Sequence, residues 1–171
     1  MLAKTVRLVY DKRVLRSDFS TVAHETKKEL KFLGRSGDFD FLGNMFPAKI
    51  LFEGKTFNSA EALVQWGKFP HLPVIQSEIR YAETPFWSWK GGNDRRKATR
   101  KDWEDVRDSV MKETLYLKFS QHTGLAESLL ATGDHELVSE EPDRYWGAGV
   151  DGAGENRLGR ILMELRDYLK A

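Results

Sequence analysis

The sequence predicts an α+β fold, a single predominantly helical domain with a small antiparallel sheet. Three observations carry this. Apolar residues recur at helical spacing behind capping residues over most of the chain after Asn58. One alternating segment, K-I-L-F-E-G-K-T-F, turns back at Glu53-Gly54 as a short hairpin. The strand–helix–strand rhythm of a doubly wound sheet is missing.

The elements follow in order. V-R-L-V-Y at Val6–Tyr10 reads as a first strand, and the charged stretch from Asp11 to Arg35 as either a hairpin arm or a peripheral helix. Phe39 to Pro47 mixes aromatics with Gly, Asn and Pro and reads as an irregular, buried loop. After the hairpin, Asn58 or Ser59 caps a helix running towards Phe69, which Pro70 and Pro73 end. Trp103, Val106, Val110, Thr114 and Leu117 mark a long helix behind a cap at Asp102, reaching about Phe119. Leu125, Leu129 and Leu130 mark a shorter one stopped at Gly133. Leu137–Val138 is a brief strand. Leu158, Ile161, Leu162, Leu165, Tyr168 and Leu169 make an amphipathic final helix with Asn156 as its cap.

Composition narrows the function classes. The 171 residues carry 27 Lys+Arg and 26 Asp+Glu, a net charge of +1, which argues against a protein whose main task is coating nucleic acid. There is no cysteine, so disulfide scaffolds, thiolate zinc sites, iron–sulfur clusters and Cys nucleophiles are excluded. No uncharged apolar run approaches the roughly 18 residues of a bilayer span. The opening M-L-A-K-T-V-R-L-V-Y-D-K-R breaks its apolar residues with charges too early for a secretory signal, so the expected location is cytoplasmic. No repeat or linker divides the chain.

Several motifs fail on context. G-A-G-V-D-G at Gly147–Gly152 has the letters of a dinucleotide fingerprint, but D-R-Y-W precedes it and one helix ends the chain. Gly147, Gly149, Gly152 and Gly154 before Asn156 are either an anion cradle at a helix start or a tight connection. His24, His71, His122 and His135 share no metal-ligand spacing, and no G-x-S-x-G elbow occurs. Lys90, Arg95, Arg96, Lys97, Arg100 and Lys101 form a basic stretch that is either a solvated surface or a phosphate contact.

One constellation survives. In F-N-S-A-E-A-L-V-Q-W-G-K-F, Glu61, Gln65 and Lys68 stand at i, i+4 and i+7, within roughly 60° around a helix. Acid, amide and amine share a stripe. Each has a structural alternative: Glu61 as a capping-box carboxylate three after Asn58, Lys68 as a complement to the helix dipole. Gly67, unfavourable inside a helix by ~1 kcal/mol, suggests a close approach to the backbone.

The order F-L-x-N-x-x-P, hairpin, F-x-S-x-E-x-x-x-Q-x-x-K-F resembles the NADAR family (NAD- and ADP-ribose-associated). The resemblance continues through Thr84–Pro85, R-K-D-W at Arg100–Trp103 and V-M-x-x-x-L-x-x-K-F at Val110–Phe119. L-L-A-T-G-D, D-x-Y-W-G at Asp143–Gly147 and N-R-L-G-x-I-L-M-E-L-R from Asn156 complete it, over about Gly37 to Leu169. Residues 1–36 are then an N-terminal strand and charged arm of the same domain, and 37–171 its catalytic part.

The resemblance implies an N-glycosidase that cleaves a bond at ribose C1. The substrate would be either a phosphoribosylamino-pyrimidine intermediate of riboflavin biosynthesis or ADP-ribose attached to guanine in a nucleotide or DNA. It implies Lys68 as a nucleophile passing through a Schiff base, Glu61 as its partner carboxylate, and no cofactor or metal. Asn44, Gln65, Lys90, Asp143, Trp146, Gly147 and Asn156 would contact substrate. Trp146 is either a wall for the base or plain core, and Asp143 either a ribose ligand or a turn cap. The chain departs from the family pattern at Ala62-Leu63-Val64, where His and two aromatics are usual, at Gly43 for Ser, at Trp66-Gly67 for two small residues, and at Lys90 for Arg. The alternative is a non-catalytic ADP-ribose or nucleotide-binding module, which has no need of a lysine paired with a carboxylate.

Overall fold

The computed structural model describes residues 28–33 and 37–171. The strand expected at Val6–Tyr10 lies outside the described residues. Of the expected arm, Glu29–Phe32 is neither a hairpin nor a helix but a strand, β1. It pairs in parallel with β4, Glu136–Ser139, with Leu30 opposite Leu137 and Phe32 opposite Ser139. Alternation explains the strand: Leu30 and Phe32 are buried while Glu29 and Lys31 stay outside and pair at 3.7 Å. Four residues are too short a period to stand out, and the partner strand is far away in the chain.

The antiparallel sheet is the expected hairpin, β2 (Pro47–Phe52) and β3 (Lys55–Ser59). Its turn places Glu53 at φ 48° and Gly54 at φ 71°, the left-handed pair that a type I′ turn requires. β3 runs straight into α1, Ala60–Gly67. Ser59, not Asn58, is the cap, its hydroxyl accepting from Ala62 N at 3.2 Å. Asn58 instead donates to Ala82 O at 2.9 Å.

Two helices were not expected, α2 (Pro73–Arg80) and α3 (Pro85–Asp94). Both begin on proline, whose missing N–H is harmless in the first turn. Thr84 caps α3 by accepting from Trp87 N at 3.4 Å. Pro73, which reads as a helix stop, is a helix start.

The long helix α4 spans Trp103–Gln121 and touches α1, β2, α5 (Thr123–Ala131) and α6 (Arg157–Lys170). Asp102 does not cap it with its side chain, because Arg100 holds that carboxylate in a two-pronged pair at 2.6 and 2.7 Å. Gly133, at φ 60°, follows α5 as expected. The main core gathers Leu115 and Phe119 of α4, Leu129 of α5, Leu137 of β4 and Leu162 of α6, all fully buried. Each such side chain contributes roughly 1.5–3 kcal/mol. A second cluster under the hairpin holds Ile50, Phe57 and Leu63. Helix α1 lies between the two, so its remaining face is held rigidly. Among the described residues no helix is long and apolar enough to cross a membrane.

Candidate active site

That remaining face of α1 carries Glu61, Gln65 and Lys68 into a cleft of about 480 Å³. The turn at Gly43–Met45 and Phe32 and Leu33 at the end of β1 form one side. Trp89 and Asn93 of α3, Trp103, Arg107 and Met111 of α4, and the Glu141–Trp146 loop form the rest. Val64 belongs to the wall and the main core, whereas Ala62 and Leu63 turn into the hairpin cluster. Two of the three departures at 62–64 therefore face away from the cleft.

Glu61 is buried, and its Oε1 accepts from Gln65 Nε2 at 2.7 Å. With Ser59 as cap, Glu61 stands one position too early for a capping box, so that alternative falls. Its backbone N–H donates to Asn44 O at 3.0 Å, tying the 43–45 turn to the helix start. Burial pushes the Glu61 carboxyl up and the nearby Glu141 adds to this; the Gln65 amide, the Lys68 charge and Asn44 oppose it.

Lys68 follows the last residue of α1 and keeps helical angles (φ −70°, ψ −20°), so the stripe remains intact. Its carbonyl accepts from Arg100 N at 2.9 Å, and its ammonium lies 5.5 Å from the centre of the Trp103 ring. Burial lowers its pKa, against the pull of Glu61, Asp143 and Glu104. The acid is made weaker and the amine less basic in one cleft, the combination that proton transfer near neutral pH needs.

Gln65 is also buried, with Oε1 left without a partner. Gly92 explains how it fits: a Cβ there would lie 2.0 Å from Gln65 Oε1, so only glycine lets α3 approach α1 over this amide. Asn44 donates to Met111 Sδ at 3.3 Å, and its buried Oδ1 has no partner within the described residues. Asp143 caps its own turn, Oδ1 accepting from Tyr145 N (2.9 Å) and Trp146 N (2.7 Å), while lining the cleft. Trp146 is both core and wall, packing on the main core and lining the cleft.

Three expected contacts stand outside the cleft wall. Lys90 pairs with Asp94 at 2.5 Å on the surface of α3. Asn156 sits at φ 50° and spends its amide on β4, accepting from Ser139 N and donating to Leu137 O, both at 2.9 Å. It therefore neither caps α6 with its side chain nor reaches the cleft. Gly147 is a packing glycine, since a Cβ would lie 2.2 Å from Glu141 O. The glycine loop is a tight connection rather than an anion cradle. Gly147, Gly149, Gly152 and Gly154 all donate to backbone carbonyls, as do Arg157 and Leu158 at the start of α6. Gly67 does admit a neighbour, but it is Val110, whose Cγ1 would be 3.3 Å from an added Cβ.

Met45, Trp89, Asn93, Arg107 and Glu141 also line the cleft, and no sequence motif marks them as site residues. They come from turns and helix faces whose residue types read as ordinary surface.

Comparison with known proteins places the chain in a family and matches its fold. The NADAR domain family model matches residues 19–170. The chain is 40% identical over 141 residues to N-glycosidase YbiA of Escherichia coli K12, covering 82% of this chain and 88% of that protein. It is 39% identical over 131 residues to the riboflavin biosynthesis protein VVA0006 of Vibrio vulnificus, covering 76% of this chain and 35% of that protein. The NMR structure of E. coli YbiA superposes with a TM-score of 0.77 at 39% identity, over 84% of this chain and 86% of that one. With the family model spanning nearly the whole chain and the fold matched as well, this protein belongs to the NADAR domain family.

Proposed function

We propose that the cleft hydrolyses a ribose C1–N bond, with Lys68 as nucleophile and Glu61 as the acid–base partner. The chain is an N-glycosidase, the activity for which relatives such as YbiA and the Nostoc punctiforme protein Npun_R5314 are named. One observation carries the assignment to these residues: a buried carboxyl raised in pKa and a lysine lowered in pKa share one helical stripe in the cleft.

The chemistry balances with these two groups. The neutral Lys68 amine attacks C1 as the C1–N bond to the base breaks, and the Glu61 carboxyl gives its proton to the departing nitrogen. The Glu61 carboxylate carries a proton from Nζ to the ring oxygen as the C1–ring-oxygen bond opens, which leaves a protonated imine between C1 and Nζ and a ring oxygen that is now a hydroxyl. Glu61, again a carboxylate, takes a proton from the water that adds to C1, then gives a proton to Nζ and takes that of the new hydroxyl as the C1–Nζ bond breaks, so the sugar leaves as its aldehyde with the amine neutral and the acid protonated. Trp146 offers a flat wall for the base or ribose, and Asp143 a carboxylate in the lining. Gln65, hydrogen-bonded to Glu61, orients the acid. That β1 pairs with β4, and that Phe32 and Leu33 line the cleft, supports reading the N-terminal segment as part of the same domain.

The substrate we favour is a phosphoribosylamino-pyrimidine, because VVA0006 and the maize chloroplast relative are both named riboflavin biosynthesis proteins. ADP-ribose on guanine is the competing substrate. A binding module without turnover is disfavoured by the retained Glu61–Lys68 pair. The test offers both substrates side by side to the wild type and to Lys68→Ala. The expected result is base release from the pyrimidine by the wild type and none by a Lys68→Ala protein that melts normally. A variant that keeps near wild-type turnover removes Lys68 from the chemistry, and a wild type inert on both substrates removes the substrate class.

A further inference from the structure

Neither the glycine loop nor the cations of the basic stretch, the two places the sequence offers for the phosphate of such a substrate, line the cleft. The glycine-loop N–H groups are spent on carbonyls. In the basic stretch, Lys90 pairs with Asp94, Arg95 with Glu78 and Arg100 with Asp102, while Arg96, Lys97 and Lys101 lie outside the cleft wall. Two cationic side chains line the cleft among the described residues, Lys68 and Arg107.

Arg107 stands one helical turn after Trp103 on α4. Its guanidinium carbon lies 3.4 Å from the centre of the Tyr145 ring, a stacked geometry that fixes the plane of the group. Tyr145 is itself pinned, its hydroxyl donating to Asp108 Oδ1 at 2.6 Å. Glu104, largely exposed, takes Nη1 at 2.6 Å. The buried Nε has no hydrogen-bond partner among the described residues. A guanidinium stacked on a pinned ring in the wall of a cleft, with Nη1 on Glu104, has its outer N–H edge held in place for an anion. The carboxylates of Glu61, Glu141 and Asp143 share the cleft and would repel a phosphate placed near them.

We propose that Arg107 is the phosphate-binding residue of the cleft and makes the enzyme select ribosyl phosphates over their dephosphorylated counterparts. This rests on the cleft being a ribosyl N-glycosidase site. Lys68 stays with the reacting carbon, and Arg107 holds the far end of the sugar. Glu104 shares the guanidinium with the incoming phosphate or yields Nη1 to it.

The experiment has a binding arm and a turnover arm. In the first, calorimetry compares ribose 5-phosphate with ribose on the wild type, Arg107→Gln and Arg107→Lys. The wild type should bind the phosphate sugar roughly 10- to 100-fold better, the worth of one or two charge-assisted hydrogen bonds. Arg107→Gln should erase that preference. Arg107→Lys, which keeps charge without the planar fork, should retain part of it. In the second arm, kcat/KM is measured on the phosphoribosylamino-pyrimidine and its dephosphorylated form. Arg107→Gln should lower the first by a similar factor and leave the second within about twofold. Equal losses on both forms would make Arg107 structural, and a preserved phosphate preference in the variants would overturn the assignment. If Arg107→Gln does not fold, the wild type and Arg107→Lys still decide, because equal binding of ribose and ribose 5-phosphate by the wild type refutes the site. Since the binding arm needs no turnover, an error in the reaction itself shows separately, as tight phosphate-sugar binding by an inert enzyme.

Discussion

Replacing Lys118 by Met should change how stability depends on pH, by an amount the structure allows to be worked out. Lys118 lies on α4, fully buried, with Nζ donating to Phe41 O at 2.6 Å and Gly43 O at 2.8 Å. These carbonyls belong to the turn that leads into Asn44, so the amine props one wall of the cleft. Burial pulls its pKa down from 10.5 to about 7. A lysine lowered in the folded state weighs against folding while it is charged. The penalty is complete below about pH 7 and is relieved as pH rises towards 10.5, where the unfolded chain loses its proton too. At ~1.4 kcal/mol per pH unit, the wild type should gain roughly 2–3 kcal/mol between pH 7 and pH 9. A neutral amine still has two N–H groups, so both carbonyls stay satisfied. The Met variant has no such titration but leaves two acceptors unmet, at about 1–3 kcal/mol each. Urea denaturation of both proteins at pH 6, 7, 8 and 9 isolates the effect, because all other titrating groups are shared. The two should be close at pH 6 and diverge in favour of the wild type as pH rises. Parallel curves would show that the buried amine does not titrate in this range and would refute the reasoning.

Other perturbations address the site directly. Glu61→Gln should lower kcat by roughly 10²–10⁴ with little change in melting temperature, since an amide oxygen still accepts from Gln65; an unchanged rate would make Glu61 structural. Gly92→Ala drives a Cβ into the Gln65 amide, so it should destabilise by roughly 1–3 kcal/mol and slow turnover together. Unchanged denaturation and kcat would contradict the packing argument. Asn156→Ala removes two buried hydrogen bonds to β4 and should lower stability by roughly 1–3 kcal/mol in urea denaturation. A many-fold rise in KM at unchanged stability would instead return Asn156 to the cleft.

What could be read from residues alone follows how local the physics is. The hairpin was legible because Glu53-Gly54 supplies both left-handed positions of its turn. The Glu61–Gln65–Lys68 stripe was legible because helical spacing alone brings the three together. β1 was not, because its register is set by β4, a contact that no local pattern records. α2 and α3 were missed because proline is compatible with ending one helix or starting another, and only the neighbouring chain decides. Asn156 misled for a related reason: an Asn before a helix favours capping, but here β4 offers its amide two backbone partners. Arg107 looks like any solvated helix cation until Tyr145, from a distant loop, is laid under it.

The account stands most directly on whether Lys68 becomes covalently joined to the sugar. Borohydride added during turnover reduces an imine and fixes the sugar fragment to the protein, whereas an oxocarbenium ion captured by water leaves nothing attached. Intact-mass and peptide mass spectrometry should show one sugar adduct, on the peptide holding Lys68, and not on those holding Lys55, Lys90 or Lys118. An adduct on another of these lysines would move the nucleophile, and no adduct from an enzyme that is turning over would contradict the lysine mechanism.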